Sequence, residues 1–273
     1  MPDMTFLDKL LNISKKNNSL VCVGLDTDIE KIPKFLLKED DPIFSFNKTI
    51  IDATSDLVCA YKPNAAFYES SGVKGWEALK KTCDHIPEEI PIIIDAKRGD
   101  IGNTSRMYAK SIFEDLKADA VTVSPYLGGD SISPFLAYED KCAFILCLTS
   151  NKGAEDFQLQ KIDNKPLYEL VAEKIVQWNE KGNCGLVVGA TYPDQLKRIR
   201  EIAGKLPILI PGVGAQKGDV EKTVRFGTDN QGNLAIINSA RGIIYASSSE
   251  DFADAAREKA QSLRDTINLF RKK

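Results

Sequence analysis

Short, continuously apolar runs rich in β-branched residues recur along this 273-residue chain, and they constrain its fold more than any other feature. They fall at 20–25, 57–61, 91–95, 120–124, 143–148, 185–190, 207–210 and 234–238, about eight in all. Continuous apolarity, without polar alternation, marks strands buried on both faces, and such strands belong to parallel sheets covered by helices. Between the runs lie segments of helical period with start signals: Asp41-Pro42 before 43–54, Asn103-Thr104 before 107–116, and Tyr192-Pro193 before 196–202. A β-α alternation repeated about eight times over about 250 residues fits a (β/α)8 TIM barrel better than an open doubly wound sheet. The expected architecture is therefore α/β, one barrel domain over 1–273, with an extra helix at 3–16 before the first strand and a closing helix at 251–270. No Pro/Gly/Ser-rich linker marks a boundary, and the polar stretch 227–233 reads as a loop at the end of the barrel away from chemistry.

Composition removes several function classes. With 36 Lys+Arg against 39 Asp+Glu and no long basic stripe, the counterion release that drives nucleic-acid binding has no source, so no nucleic-acid partner is expected. The longest apolar stretches, such as 92–94 and 143–148, fall far below the ~20 residues of a membrane span, so no membrane partner is expected either. Asp3, Asp8 and Lys9 interrupt the N-terminal amphipathic segment, unlike a secretory signal, and the expectation is a cytoplasmic protein. Cys22, Cys59, Cys83, Cys142, Cys147 and Cys184 show no C-x-x-C spacing and sit mostly in apolar runs, as reduced core thiols do. The sole histidine, His85, excludes H-E-x-x-H zinc sites and any two-histidine mechanism; before Ile86-Pro87 it reads as a surface-loop residue.

Catalytic groups of such barrels sit at strand C-termini, so the informative strands are those ending in residues that are costly to bury. The first ends at Asp26, the second in Tyr61-Lys62-Pro63-Asn64, and the third in Asp95-Ala96-Lys97-Arg98-Gly99-Asp100. The fifth ends in Thr149-Ser150-Asn151, the seventh in Pro211-Gly212-Val213-Gly214-Ala215-Gln216, and the eighth in Ser239-Ala240-Arg241-Gly242. Period-two alternation puts Asp95 and Lys97 on one wall; Gly99 allows a bend, and Asp100 opens the next helix. Those six residues fit a strand-end ion pair with a solvated Asp100 as well as a reactive site. Lys62 from the neighbouring strand makes two lysines and two aspartates in one mouth, an array that keeps both ammonium groups charged around a substrate.

Gly212 and Gly214 free the backbone after strand seven to approach an anion, although glycines there also suit a plain turn. Arg241, one strand later, offers a planar fork for two phosphate oxygens at the usual phosphate corner of these barrels, and Gln216 adds an amide donor.

These segments resemble the orotidine 5'-phosphate decarboxylase family, in particular its longer type 2 branch. The likeness runs from strand one to strand eight and is carried by 95–104, 61–64, 211–216 and 238–242. The D-x-K-x-x-D core is shared with relatives such as hexulose-phosphate synthases; Ile101 and Thr104 after it, and Lys62-Pro63-Asn64 before it, make the pattern specific. The resemblance implies decarboxylation of orotidine 5'-monophosphate to uridine 5'-monophosphate with no metal and no organic cofactor. Lys97 would protonate C6 as carbon dioxide leaves, with Lys62, Asp95 and Asp100 completing the catalytic array. Asp26 and Lys62 would contact ribose hydroxyls with Asn64 nearby, Ser150 would read the pyrimidine edge, Pro211 would line the site, and Gln216 with Arg241 would hold the phosphate. A homodimer is implied, with Asp100, Ile101 and Thr104 entering the partner's site. Two positions depart from the pattern: Lys217 stands where a small residue is frequent, and Ala240 where serine is common.

Two rival readings are a metal-dependent lyase or epimerase acting on a sugar phosphate, and a catalytically silent nucleotide-binding protein. The first would call for Glu or His ligands near the strand ends, where this chain has no histidine; the second would not require the whole charged array.

Overall fold

The structure, a computed structural model, describes residues 4–213 and 220–272. Its strands are β1 (Val21–Leu25), β2 (Ala60–Pro63), β3 (Ile93–Arg98), β4 (Ala120–Val123), β5 (Cys142–Leu148), β6 (Cys184–Val188), β7 (Ile208–Pro211) and β8 (Ala235–Ser239). They form one 8-stranded parallel sheet in which β1 sits between β2 and β8 and the order continues through β7, β6, β5 and β4 to β3. Between β2 and β3 the ring closes through only two isolated bridges, Tyr61 with Ile92 and Asn64 with Asp95, supported by Tyr61 N–H donating to Pro91 O at 3.0 Å. The α/β barrel is as expected, and its weakest seam joins the two strands that carry Lys62 and Asp95.

The covering helices are α1 (Phe6–Lys16), α2 (Pro42–Thr54), α3 (Ala65–Glu69), α4 (Gly72–His85), α5 (Gly102–Lys110), α6 (Gly129–Leu136), α7 (Ala154–Phe157), α8 (Leu167–Trp178), α9 (Pro193–Ala203), α10 (Val220–Gly227), α11 (Arg241–Ile244) and α12 (Phe252–Phe270). The start chemistry of α2 and α9 matches the sequence. The Asp41 carboxylate accepts from Phe44 N–H at 3.2 Å with Pro42 in the first turn of α2, and Pro193 opens α9.

The extra N-terminal helix closes the barrel floor. Thr5 and Asp8 form a reciprocal capping box, and Phe6, Leu10 and Ile13 are buried, with the Phe6 ring edge-on to Phe144 of β5 at 5.5 Å. Lys9 Nζ lies 2.8 Å from Asp119 Oδ2, which also accepts from Ile92 N–H at 2.8 Å. The stretch 228–233 is a loop before β8, as expected except that Gly227 still ends α10, and it is held by Arg200, whose guanidinium donates to the carbonyls of Gly204, Leu206, Gly227 and Leu234.

Three local expectations need correction. Strand β2 begins at Ala60 rather than Leu57, because Ser55–Leu57 form a 3-10 turn off the end of α2. Helix α5 begins at Gly102, earlier than the Met107 start read from the pattern, and continues through a wider π-type turn at Ser111–Asp115. His85 is no loop residue: it ends α4, because Ile86 before Pro87 is extended, and its Nε2 lies 2.7 Å from Asp52 Oδ1. All six cysteines are free and buried.

Candidate active site at the strand C-termini

The site is built around the Asp95 carboxylate, both of whose oxygens are engaged. Lys62 Nζ donates to Oδ2 at 2.9 Å; Lys97 Nζ at 2.7 Å and Thr122 Oγ1 at 2.9 Å both donate to Oδ1. Lys62 is buried, with Asp26 Oδ1 at 3.8 Å on its other side, whereas the Lys97 side chain is 51% exposed. Burial works against the Lys62 ammonium, but Asp95 and Asp26 outweigh it and hold its pKa above the ordinary lysine value. Burial likewise favours a neutral Asp95, and Lys62 and Lys97 overcome this to hold its carboxyl well below the usual carboxylate range. The result is a largely buried carboxylate, kept ionised, between one buried and one exposed cation.

Asp95 and Lys97 meet for a reason that alternation did not supply. Ile94 pairs with Val121 and Arg98 with Val123, so β3 bulges between them, and Lys97 adopts φ 47°, in the left-handed region. A non-glycine residue there costs about 1–2 kcal/mol. Lys97 N–H donates to Thr122 Oγ1 at 2.9 Å, which anchors the bulge to β4. Arg98 leans over the Tyr108 ring at 5.1 Å and pairs with Glu69 of α3, tying the loops after β2 and β3.

A cleft of ≈ 160 Å³ opens above this array, lined by Asp26, Lys62, Asp95, Ser150, Pro211 and Arg241 among the anticipated residues, together with Gly212, Val213, Asn238, Ser239 and Ala240. Two buried acceptors in it, Asp26 Oδ1 and Asn238 Oδ1, have no hydrogen-bond partner among the described residues. Gly212 has φ 95°, a conformation that frees the backbone after β7. Gly189 permits the approach of Ser150, because a Cβ there would lie 2.8 Å from Ser150 N. Arg241 is exposed on the rim, and its side chain makes no hydrogen bond or ion pair among the described residues. Tyr245, whose phenol burial pushes up to about 12, accepts from Asp28 N–H and donates to Asp26 O, fixing the loop that carries Asp26.

Other anticipated residues stand apart. The Asn64 side chain caps α3 by accepting from Ala66 N–H at 3.3 Å. Lys97 is at the cleft margin, joined to it through Asp95. Asp100 accepts from Ile101 N–H at 2.8 Å and makes no hydrogen bond or ion pair with a lysine among the described residues, while Ile101, 56% exposed, and Thr104 face outward. Gln216, Gly214 and Lys217 lie outside the described residues. Sequence reading missed Thr122, Asn238 and Tyr245. Thr122 is a single polar residue inside the apolar run of β4, and that interruption was the available signal.

A larger hollow of ≈ 560 Å³ lies at the opposite end, where Lys9 and Asp119 are already paired with each other. No three His, Cys, Asp or Glu side chains cluster as a metal site among the described residues, and no described helix is long and apolar enough to cross a membrane.

A (β/α)8 barrel with alternating charges at its strand ends and an unpaired arginine on the rim after β8 belongs to the phosphate-binding class of barrel enzymes. The model of the orotidine 5'-phosphate decarboxylase / HUMPS family matches residues 19–257, and this chain belongs to that family. It is 52% identical over 274 residues to the orotidine 5'-phosphate decarboxylase of Dehalococcoides mccartyi, covering 99% of this chain and 100% of that protein. Among solved structures it is similar to the Leishmania donovani OMP decarboxylase, with a TM-score of 0.85, 40% identity and 98% of each chain covered. The Leishmania donovani UMP synthase matches with a TM-score of 0.86 and 41% identity over 97% of this chain and 57% of that one.

Because Asp95 is held ionised in the fold, it contributes stability that is fully present above the ordinary carboxyl value of 3.8 and is lost as pH falls through its lower folded value. Asp95→Asn leaves Lys62 buried with only the more distant Asp26, and should lower unfolding free energy at pH 7 by about 3 kcal/mol. Denaturant midpoints should show that gap at neutral pH and a smaller one in acid below 3.8.

Proposed function

We propose that this chain decarboxylates orotidine 5'-monophosphate to uridine 5'-monophosphate and carbon dioxide, the last step of de novo UMP formation. It acts as a carbon–carbon lyase that uses no metal or organic cofactor. The observation that carries this reading is the Lys62–Asp95–Lys97 array beside a cleft whose other end holds Arg241. Loss of carbon dioxide breaks the bond from C6 to its carboxylate and leaves the electron pair on C6, in an orbital that the ring π-system does not delocalise. Lys97 stabilises that charge and then gives C6 one ammonium proton, which solvent restores. Asp95, beside the leaving carboxylate, favours its departure as a neutral molecule through like-charge repulsion.

The rest of the nucleotide has named holders. Asp26 and Lys62 take the ribose hydroxyls, the orphaned Asp26 Oδ1 supplying a free acceptor. Asn64 lies nearby, Ser150 meets the pyrimidine edge, Pro211 lines the floor, and Arg241 with Gln216 grips the phosphate. Phosphate binding remote from C6 fixes the ring over Lys97, so loss of Arg241 weakens turnover as well as retention.

The ≈ 160 Å³ cleft is smaller than the ~300 Å³ at which ligand pockets of this kind begin. The exposed Ile101 and Thr104, with Asp100 beside them, supply further wall to a second copy, and the working form is a cytoplasmic homodimer of single barrel domains. Release of carbon dioxide from orotidine 5'-monophosphate, followed by ultraviolet absorbance in excess chelator, tests the reaction; turnover that stops with chelator would favour a metal-dependent sugar-phosphate enzyme.

Lys97→Ala should abolish turnover while the folded protein still binds uridine 5'-monophosphate in calorimetry; near-normal turnover refutes the assigned role. Mixing Asp100→Ala with Lys97→Ala subunits should restore part of the activity through one intact hybrid site. No recovery despite demonstrated subunit exchange contradicts the shared site.

A further inference from the structure

We propose that Thr122 is a positioning residue for Lys97: its hydroxyl sets where the proton-donating ammonium stands. This inference rests on the decarboxylase reading above. Four observations converge on it. Lys97 sits at φ 47° in a bulge, where its backbone N–H is not used by the regular β3–β4 ladder. That N–H donates to Thr122 Oγ1 at 2.9 Å. The same hydroxyl donates its proton to Asp95 Oδ1 at 2.9 Å, the oxygen that also accepts from Lys97 Nζ at 2.7 Å. Thr122 itself is 1% exposed on β4, so no water competes for the hydroxyl.

A closed ring results. It runs from the Lys97 backbone N–H to the Thr122 hydroxyl, on to Asp95 Oδ1, and back through the Lys97 ammonium to the same residue's backbone. A hydroxyl has one proton to donate and lone pairs to accept with, so Thr122 can hold both ends at once. Valine, of the same shape, can hold neither. Lys62 reaches Asp95 from the other oxygen and is untouched by the exchange. Without the hydroxyl, the Lys97 N–H is left without its acceptor, and Asp95 loses one of the two donors that fix Oδ1. The bulge then has no anchor to β4, and the ammonium moves relative to C6. The ring and the phosphate, held elsewhere in the cleft, stay where they were.

Steady-state kinetics of Thr122→Val and Thr122→Ser against wild type provides the test. In Thr122→Val, kcat should fall by about ten- to a hundredfold, the loss expected when a reacting group is displaced by about an ångström. KM for orotidine 5'-monophosphate and the affinity for uridine 5'-monophosphate should stay within about twofold, because ground-state contacts are intact. Thr122→Ser, which keeps the hydroxyl and loses only the methyl, should restore kcat to near the wild-type value. A general packing defect would instead lower both variants together or raise KM in proportion. Either of those results, or a wild-type kcat in Thr122→Val, overturns the proposal. Should the valine variant fail to fold, Thr122→Cys, with a thiol that donates weakly, carries the same expectation, and wild-type turnover in it overturns the proposal. The two levels fail separately: a wild-type protein that releases no carbon dioxide refutes the decarboxylase reading, whereas an active wild type with an unaffected hydroxyl-free variant refutes Thr122 alone.

Discussion

One carboxylate organises the reactive end of this barrel. Asp95 takes Lys62 on one oxygen and Lys97 with Thr122 on the other, so strands β2, β3 and β4 are tied together at a single buried point. A buried ion in isolation would be neutralised or expelled; with both oxygens paired it stays charged, and so does the buried Lys62. The pairing also crosses the seam where β2 and β3 share only isolated bridges. Removing Lys62 or Asp95 would therefore disturb closure of the ring as well as the charges in its mouth.

The two ends of the barrel divide the work. At the floor, α1 buries an apolar face, Lys9 and Asp119 neutralise each other, and Arg200 saturates itself on backbone carbonyls, so these charged groups are satisfied within the fold. At the mouth, Asp26 Oδ1 and Asn238 Oδ1 are buried without a hydrogen bond among the described residues, Lys97 stands at positive φ, and the Arg241 side chain is unpaired. Unsatisfied acceptors and backbone strain are costs that a structure retains where a ligand or a reaction uses them. Two such acceptors lining one cleft, beside the strained Lys97 and the unpaired Arg241 side chain, mark that end as the site.

Much of this was legible from sequence because doubly buried parallel strands are uniformly apolar, and the residues that end them are polar for a reason of chemistry. The same rule misplaced β2: Leu57 continues the apolar run but belongs to a 3-10 turn, while the strand runs on into Lys62 and Pro63, which carry no strand signal. Alternation put Asp95 and Lys97 on one wall, yet they meet across a bulge, and the bulge depends on a partner, Thr122, that lies distant in sequence. His85 reads as a loop residue from its place in a polar segment before Ile86-Pro87, whereas only Ile86 has to leave the helical region and α4 runs on to His85. The exposure of Ile101 and Thr104 and the lack of an ion pair on Asp100 have no meaning within one chain, so their use follows only from the resemblance.

A crystal structure of the protein with uridine 5'-monophosphate bound measures most directly whether the charged array is where the chemistry occurs. The pyrimidine C6 should lie within contact of Lys97 Nζ, with the ribose hydroxyls on Asp26 and Lys62 and the phosphate on Arg241. A nucleotide seated with its base away from Lys97, or bound at the barrel floor, would contradict it.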